Sequence, residues 1–312
     1  MPAGQERILR RRIRSVQSTQ KITRAMELIA ASRIVRAQHA IAAARPYAER
    51  MQQVVSDLAA TPEAKGHWVF AGAGDKALVV VLGADRGLAG AFSVSVLRAA
   101  DELLRQLSGR GPRPAIIAVG RKVVSYFRFR GTPLAAHFEG FTDRPRFEHA
   151  QRIVEAISEQ IAEGGIGEIH LVSTRFLSVG SQKAQSRRLV PMERPGPSEP
   201  RDGELTTVFE FEPGPDEILD RLLPRWLEAE VYAALLESAA SFHVSQQRAM
   251  KAATDNADKL IKTLRRDMNR ARQDSITTEI MEIVGGAEAL RQSGQAGEAS
   301  GRPDIYVLPE AS

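Results

Sequence analysis

Apolar and small residues recur at steps of three and four near the start of the chain, at Leu9, Ile13, Val16, Ile22, Met26, Ala30, Ile34, Ala37 and Ile41. The same spacing returns near the other end, at Ile261, Leu264, Met268, Ala271, Ile276, Ile280 and Ile283. Both stripes are narrow. A helix lying on a globular core needs a broader apolar face, whereas a helix paired with one partner needs only a seam. Glycine and proline, which weaken helix interiors, are sparse where the stripes lie. No glycine falls between Gly4 and Gly66, and the prolines within that span are Pro46 and, near its end, Pro62. None falls between Gly214 and Gly285, and proline is absent from Arg225 to Arg302. The pattern predicts a long helix within residues 1–62 and a longer one within 213–290, bent near Pro224. If whatever lies between them sits at one end, the two helices run antiparallel as a coiled coil.

Between them the period changes. Ala77 to Leu82, Ala115 to Val119, Glu168 to Ser173 and Thr206 to Phe211 are short runs rich in Val, Ile and Phe. Val94 to Leu107, Lys122 to Phe129 and Phe147 to Ile161 read as helices. Strands alternating with helices predict an inserted α/β domain, Rossmann-like in its plan, over residues 75–212. Pro191 to Gly203 carries four prolines and two glycines and reads as a surface loop. Beyond Leu290 the chain is rich in Gly, Ser, Glu and Gln, so residues 291–312 read as a disordered tail.

Composition narrows the function. With 312 residues the chain can bury a core without cross-links, and with no cysteine it has no disulfide, thiolate metal site or cysteine nucleophile. The N-terminus lacks the apolar stretch of a secretory signal and no run of about 18 apolar residues occurs, so an intracellular chain with at most indirect membrane association is expected. The net charge of +5 is uneven: residues 1–50 carry eleven Lys or Arg against Glu6, Glu27 and Glu49. Such a basic helix suits a solvated face, nucleic acid, anionic lipid or an acidic protein groove.

Candidate chemistry is thin. The run VVVLGADRGLAGAFS, residues 79–93, places glycines between a strand and a helix, as phosphate-cradling loops do. It lacks the Gly-Lys-Ser/Thr ending of a P-loop, and the spacing of Gly83, Gly87 and Gly90 is not that of a dinucleotide fingerprint, so tight turn geometry explains it better. His39, His67, His137, His149, His170 and His243 form no ligand pair of metal-site spacing, and no nucleophile elbow or triad motif appears. No catalytic, cofactor or metal residue is expected.

Specific strings lie in the two helices. STQKITRAMELIAASR (18–33), RAMKAATDNADKLI (248–261) and RARQDSITTEIMEIVGGAEAL (270–290) closely resemble signatures of the ATP synthase gamma subunit family, and DRGLAG (85–90) resembles that family's turn signature. The matches are collinear and span roughly residues 4–290. Departures exist: Ala91 and Ser93 stand where the family usually has Gly and Asn, and SFHVSQQ (241–247) replaces a stretch usually rich in Glu and Ala.

The resemblance implies a non-catalytic rotor shaft that couples proton flow to ATP synthesis. Its implied partners are three alpha and three beta subunits, an epsilon subunit and a membrane ring of c subunits, at the cytoplasmic face of a bacterial membrane, with no nucleic acid. Lys21, Arg24, Met26, Arg272 and Gln273 match the family's head-contact positions. Arg265 and Arg266 join them through a positive collar that also holds Arg248, Lys251, Lys259, Lys262 and Arg270. Phe211 and Glu212 resemble the foot that meets the membrane ring. Two rival readings remain: a basic coiled-coil nucleic-acid binder, motivated by RRRIR at 10–14, and a nucleotide-using α/β enzyme, motivated by the glycine turn.

Overall fold

The computed structural model describes residues 2–59, 61, 63–72, 74–192 and 214–299. Helix α1 is Pro2–Ala59 and helix α6 is Pro215–Ala299, each continuous through its proline, Pro46 or Pro224. By its internal contacts the chain divides into two compact units, residues 23–252 and residues 1–22 with 253–312. Both helices contribute to both units.

The 23–252 unit is built on a five-stranded sheet. Its strands are β1 (Lys76–Leu82), β2 (Ala115–Val119), β3 (Ala136–Phe138), β4 (Ile166–Phe176) and β5 (Gln182–Val190), in the order β3-β2-β1-β4-β5. All pairings are parallel except β4 with β5. Helices α3 (Phe92–Ser108), α4 (Arg121–Phe129) and α5 (Phe147–Ala162) connect the strands, and a short α2 (Trp68–Ala71) precedes them. β1 is apolar on both faces because helices cover both. Ala77, Val79 and Val81 pack with Val96, Ala100 and Leu103 of α3 and Val123 and Phe127 of α4. Leu78, Val80 and Leu82 face Ile153 and Ile157 of α5 together with Leu223, Trp226, Leu227, Val231 and Leu235 of α6. So the sheet takes one of its covering helices from the segment that the sequence assigns to the coiled coil. Within this unit α1 and α6 run antiparallel: Trp226 Nε1 donates to Gln52 at 3.0 Å, and Arg33 lies close enough to His243 to act on its charge.

Two of these strands carry little sequence signal. β3 is three residues long, and β5 (QKAQSRRLV) is largely polar, held at the sheet edge by its ladder to β4. The expected strand Thr206–Phe211 and the expected loop from residue 193 onward lie outside the described residues, as do Phe211 and Glu212.

In the other unit, α6 packs through a strict alternation of steps of three and four. Ala257, Ile261, Leu264, Ala271 and Ser275 are buried and Met268 is half-buried. On α1, Ile13 is buried, Leu9 and Val16 are half-buried, and Gln20 hydrogen-bonds Asp258. This corrects the expected stripe at its ends. Ile276, Ile280 and Ile283 are exposed, because the seam reaches Ser275, and a side chain one residue on points about 100° away. Ile22 is likewise 59% exposed while Thr23 is buried. Helix α6 also runs to Ala299, past the expected start of a disordered tail at residue 291, since extending a formed helix costs far less than nucleating one.

Candidate functional site

Around the seam of the 1–22/253–312 unit, the surface is basic. Lys21, Arg265, Arg266, Arg272 and Gln273 are all exposed, as are Lys259, Lys262 and Arg270. On α1 the same unit exposes Arg7, Arg10, Arg11, Arg12 and Arg14, with Arg10 pairing with Glu6 at 2.6 Å. Lys262 sits 2.9 Å from Asp258, and its ammonium holds that carboxyl below the usual carboxylate range. These pairs are solvated and contribute little to folding, so the charge remains available to a partner.

The 23–252 unit holds the other expected contacts. Arg24 is exposed and Met26 is half-buried, one turn before the fully buried Ala30. Arg248, which the sequence places in the positive collar, is instead committed: its guanidinium donates to the carbonyls of Val179 and Gly180 in the β4–β5 turn.

The glycine turn between β1 and α3 shows why glycines stand there. A Cβ on Gly83 would lie 2.2 Å from Cγ2 of Val123, so α4 packs directly against the backbone. Gly90 has φ +55, and Leu88 adopts φ +62 although it is not glycine, presenting an exposed side chain from a costly backbone conformation. The chain moves outward from β1 to β2 and β3, then returns to β4 on the other side of β1, so the turn lies where α/β folds take ligands. Here α6 narrows that crevice, leaving a cavity of about 450 Å³ lined by Gly90, Ala91, Ser95, Thr174, Gln182 and Arg248. Phe242 of α6 packs on Ala84, Ala89 and Phe92, its ring edge-on to Phe92 at 5.7 Å, and the Phe92 amide is already bonded to Ala89 O.

Asp85 ties the neighbouring loops together. It accepts from the amides of Arg121 and Thr142 at 3.0 and 2.9 Å and from the Thr142 hydroxyl at 2.8 Å, while its own amide donates to that hydroxyl oxygen. Burial alone would raise its pKa; the hydrogen bonds, including one from Gly140, outweigh burial and hold it below the usual value. His243 is buried beside this site, its Nε2 3.1 Å from Asp143 O. Burial lowers its pKa, and the positive charges of Arg33 and Arg144 push the same way. Sequence reasoning passed over Asp85, Asp143, Phe242 and His243. The only trace of the last two was the unusual SFHVSQQ string, which lies in the most continuously buried stretch of α6.

Among the described residues no three His, Asp or Glu side chains converge as metal ligands, and no helix is long and apolar enough to cross a membrane. Residues 5–290 match the family model described as ATP synthase. The chain is 50% identical over 293 residues to the ATP synthase gamma chain of Parafrankia sp. (strain EAN1pec), covering 92% of this chain and 98% of that one. It is 47% identical to the ATP synthase gamma chain of Thermobifida fusca, over 95% and 99% of the two chains. Among solved structures, a chain of the Euglena gracilis mitochondrial ATP synthase OSCP/F1/c-ring superposes with a TM-score of 0.61 at 15% identity, over 98% of this chain and all of that one. A chain from the Tetrahymena thermophila mitochondrial ATP synthase central stalk/c-ring gives a TM-score of 0.55 at 22% identity, over 74% and 99%. The nucleic-acid reading finds no support in these relatives.

Proposed function

The chain belongs to the ATP synthase gamma chain family, and from that premise we propose that it is the central rotor shaft of the enzyme, passing the rotation of a membrane ring to the alpha and beta subunits without an active site of its own. The observation that carries this reading is a closed, narrow seam wrapped in exposed cations. A helix pair that buries its seam residues between the two helices keeps most of its basic periphery exposed to turn against partners, and screened long-range attraction gives a smoother surface for sliding than interlocked apolar contacts. In this reading Lys21, Arg265, Arg266, Arg272 and Gln273 from one unit, and Arg24 and Met26 from the other, meet the alpha and beta subunits. Phe211 and Glu212, outside the described residues, meet the membrane ring, an epsilon subunit completes the stalk, and the assembly works at the cytoplasmic face of the membrane. Because the shaft is asymmetric, each beta subunit meets a different face and is biased toward a different conformer; differential contact of that kind is what couples rotation to chemistry.

The non-catalytic reading is supported by the sequence, which carries no P-loop ending, nucleophile elbow or triad motif. The test is reconstitution with alpha and beta subunits in membranes carrying Met26→Lys. The half-buried thioether can give way to a Lys that extends its ammonium outward, so assembly survives. A new charge-assisted hydrogen bond to one beta conformer, on the order of 1.5 to 3 kcal/mol, would deepen one rotary state over the others. ATP-driven proton pumping should therefore fall more than ATP hydrolysis. Unchanged pumping per ATP hydrolysed would remove Met26 from the contact surface, and failure of the chain to co-purify with alpha and beta subunits would remove the shaft reading altogether.

A further inference from the structure

A second feature of the 23–252 unit is unused by this function. At the carboxyl ends of β1, β2 and β3, beside the first turns of α4 and α5, lies a cavity of about 840 Å³ whose walls include Arg33, Arg86, Arg121, Arg144, Arg146 and His149. Its charge is not balanced. Arg33 and Arg86 share the single carboxylate of Asp143, at 3.6 and 3.0 Å. Arg121 reaches Glu139 at 3.5 Å and Arg146 reaches Glu148 at 3.2 Å. Among the described residues no carboxylate stands within ion-pair distance of Arg144. The remaining acid on the wall, Asp85, is occupied by the loop amides described above.

The donors are also incompletely used. Nε of Arg33 is buried without a hydrogen-bond partner, and neither carboxylate oxygen of Asp143 makes a hydrogen bond of good geometry. Buried donors of this kind are ordinarily satisfied. Burial, reinforced by the charges of Arg144, Arg86 and Arg36 against the attraction of Asp143, lowers the pKa of Arg33, so positive charge is crowded here at a cost. His149 lines the same cavity: its Nδ1 accepts the Arg146 amide at 2.9 Å, its ring stacks on Phe141 at 4.1 Å, and its Nε2 stands 3.8 Å from Glu148. The first turns of the nine-residue α4 and sixteen-residue α5 add their partial positive charge.

We propose that this cavity is a binding site for a small polyvalent phosphate anion, held by Arg33, Arg86 and Arg144 with Arg121, Arg146 and His149 around it. Arginine is the suited residue, since its planar fork bonds phosphate oxygens in pairs, and the wall has five arginines and no lysine. The volume lies within the range of small-molecule sites. Two guanidiniums sharing one carboxylate, beside a third with no carboxylate at ion-pair distance among the described residues, match a compact anion of charge two or more better than an acidic peptide, whose carboxylates are spread along an extended strand. The phosphates are free or carried by a nucleotide; the recognised group is the same, and the cavity shares no lining residue with the one beside Gly90 and Arg248.

The experiment is calorimetric titration of the full chain with inorganic diphosphate, ADP and adenosine in turn, at one pH and matched ionic strength. Saturable diphosphate binding is expected, with Arg144→Gln and Arg86→Gln, both exposed positions, each weakening it roughly tenfold or more. Arg105→Gln, on the wall of a different cavity, should leave it unchanged. Thermal unfolding of each variant confirms that it is folded. ADP binding as tightly as diphosphate, with adenosine silent, would support the site and identify nucleotide phosphates as its source. The proposal is overturned if diphosphate gives no saturable heat, if Arg105→Gln weakens binding as much as Arg144→Gln, or if an oligoglutamate peptide binds there more tightly than diphosphate.

Discussion

Asp85 and His243 show what single buried groups contribute. Asp85 holds together the loops after β1, β2 and β3 through charge-assisted hydrogen bonds, so Asp85→Ala should cost about 3 kcal/mol at neutral pH, measured by urea unfolding. Its pKa is depressed in the folded state, so this contribution is full above the unfolded value of about 4 and is lost as pH falls below it toward the folded value. The gap between wild type and variant should therefore narrow in acid, and equal stabilities at pH 7 would refute the latch. His243 behaves differently, because burial disfavours its charged form. Its folded pKa lies below the ordinary value of about 6.5, so stability is complete above that pH and declines as pH drops through it. His243→Gln should abolish that part of the pH dependence, and a wild type that loses nothing relative to the variant between about pH 6.5 and 5 would show that the imidazole is not held neutral. The sequence marks neither residue. Asp85 reads as part of a glycine turn and His243 as one histidine among several, since the donors and neighbours that define them come from segments far away in the chain.

At the scale of the element, the sequence shows the period of the coiled coil better than its phase. Ile261 and Leu264 are buried as the stripe expects, whereas Ile276, Ile280 and Ile283 continue an apolar pattern but leave the seam. The distinction is measurable by thermal unfolding. Leu264→Ala should destabilise by about 2 kcal/mol, as a buried truncation does, and Ile280→Ala by less than about 0.5 kcal/mol, as at a surface position. Equal effects would mean that the assigned seam is wrong. The same limit applies to strands. β1 and β2 are legible because both faces are covered and their residues from Ala77 and from Ala115 onward are apolar, but β5 is a polar edge strand whose partner, not its composition, makes it a strand.

For the whole molecule, the inserted α/β region is not self-sufficient. One face of its sheet is covered in part by Leu223, Trp226, Leu227, Val231 and Leu235 of α6. Burying each such side chain stabilises by about 1.5 to 3 kcal/mol, so together they supply on the order of 10 kcal/mol, comparable to the net stability of an entire domain. A fragment of residues 75–212 should therefore give a poorly dispersed NMR spectrum and no cooperative transition in denaturant, whereas the full chain unfolds sharply. A cooperative fragment would show that α6 is dispensable to the sheet. From the sequence alone come the two long helices, the α/β alternation between them and the family, because hydrophobic period, glycine and proline placement and short motifs are local properties of the chain. Only the tertiary structure decides that α6 completes the sheet, that Phe242 packs on the glycine turn, that Arg248 is spent on a turn, and that arginines from residue 33 to residue 146 line one cavity. Each of these depends on which distant side chains meet, and burial, charge crowding and hydrogen-bond satisfaction are settled by such meetings rather than by local spacing.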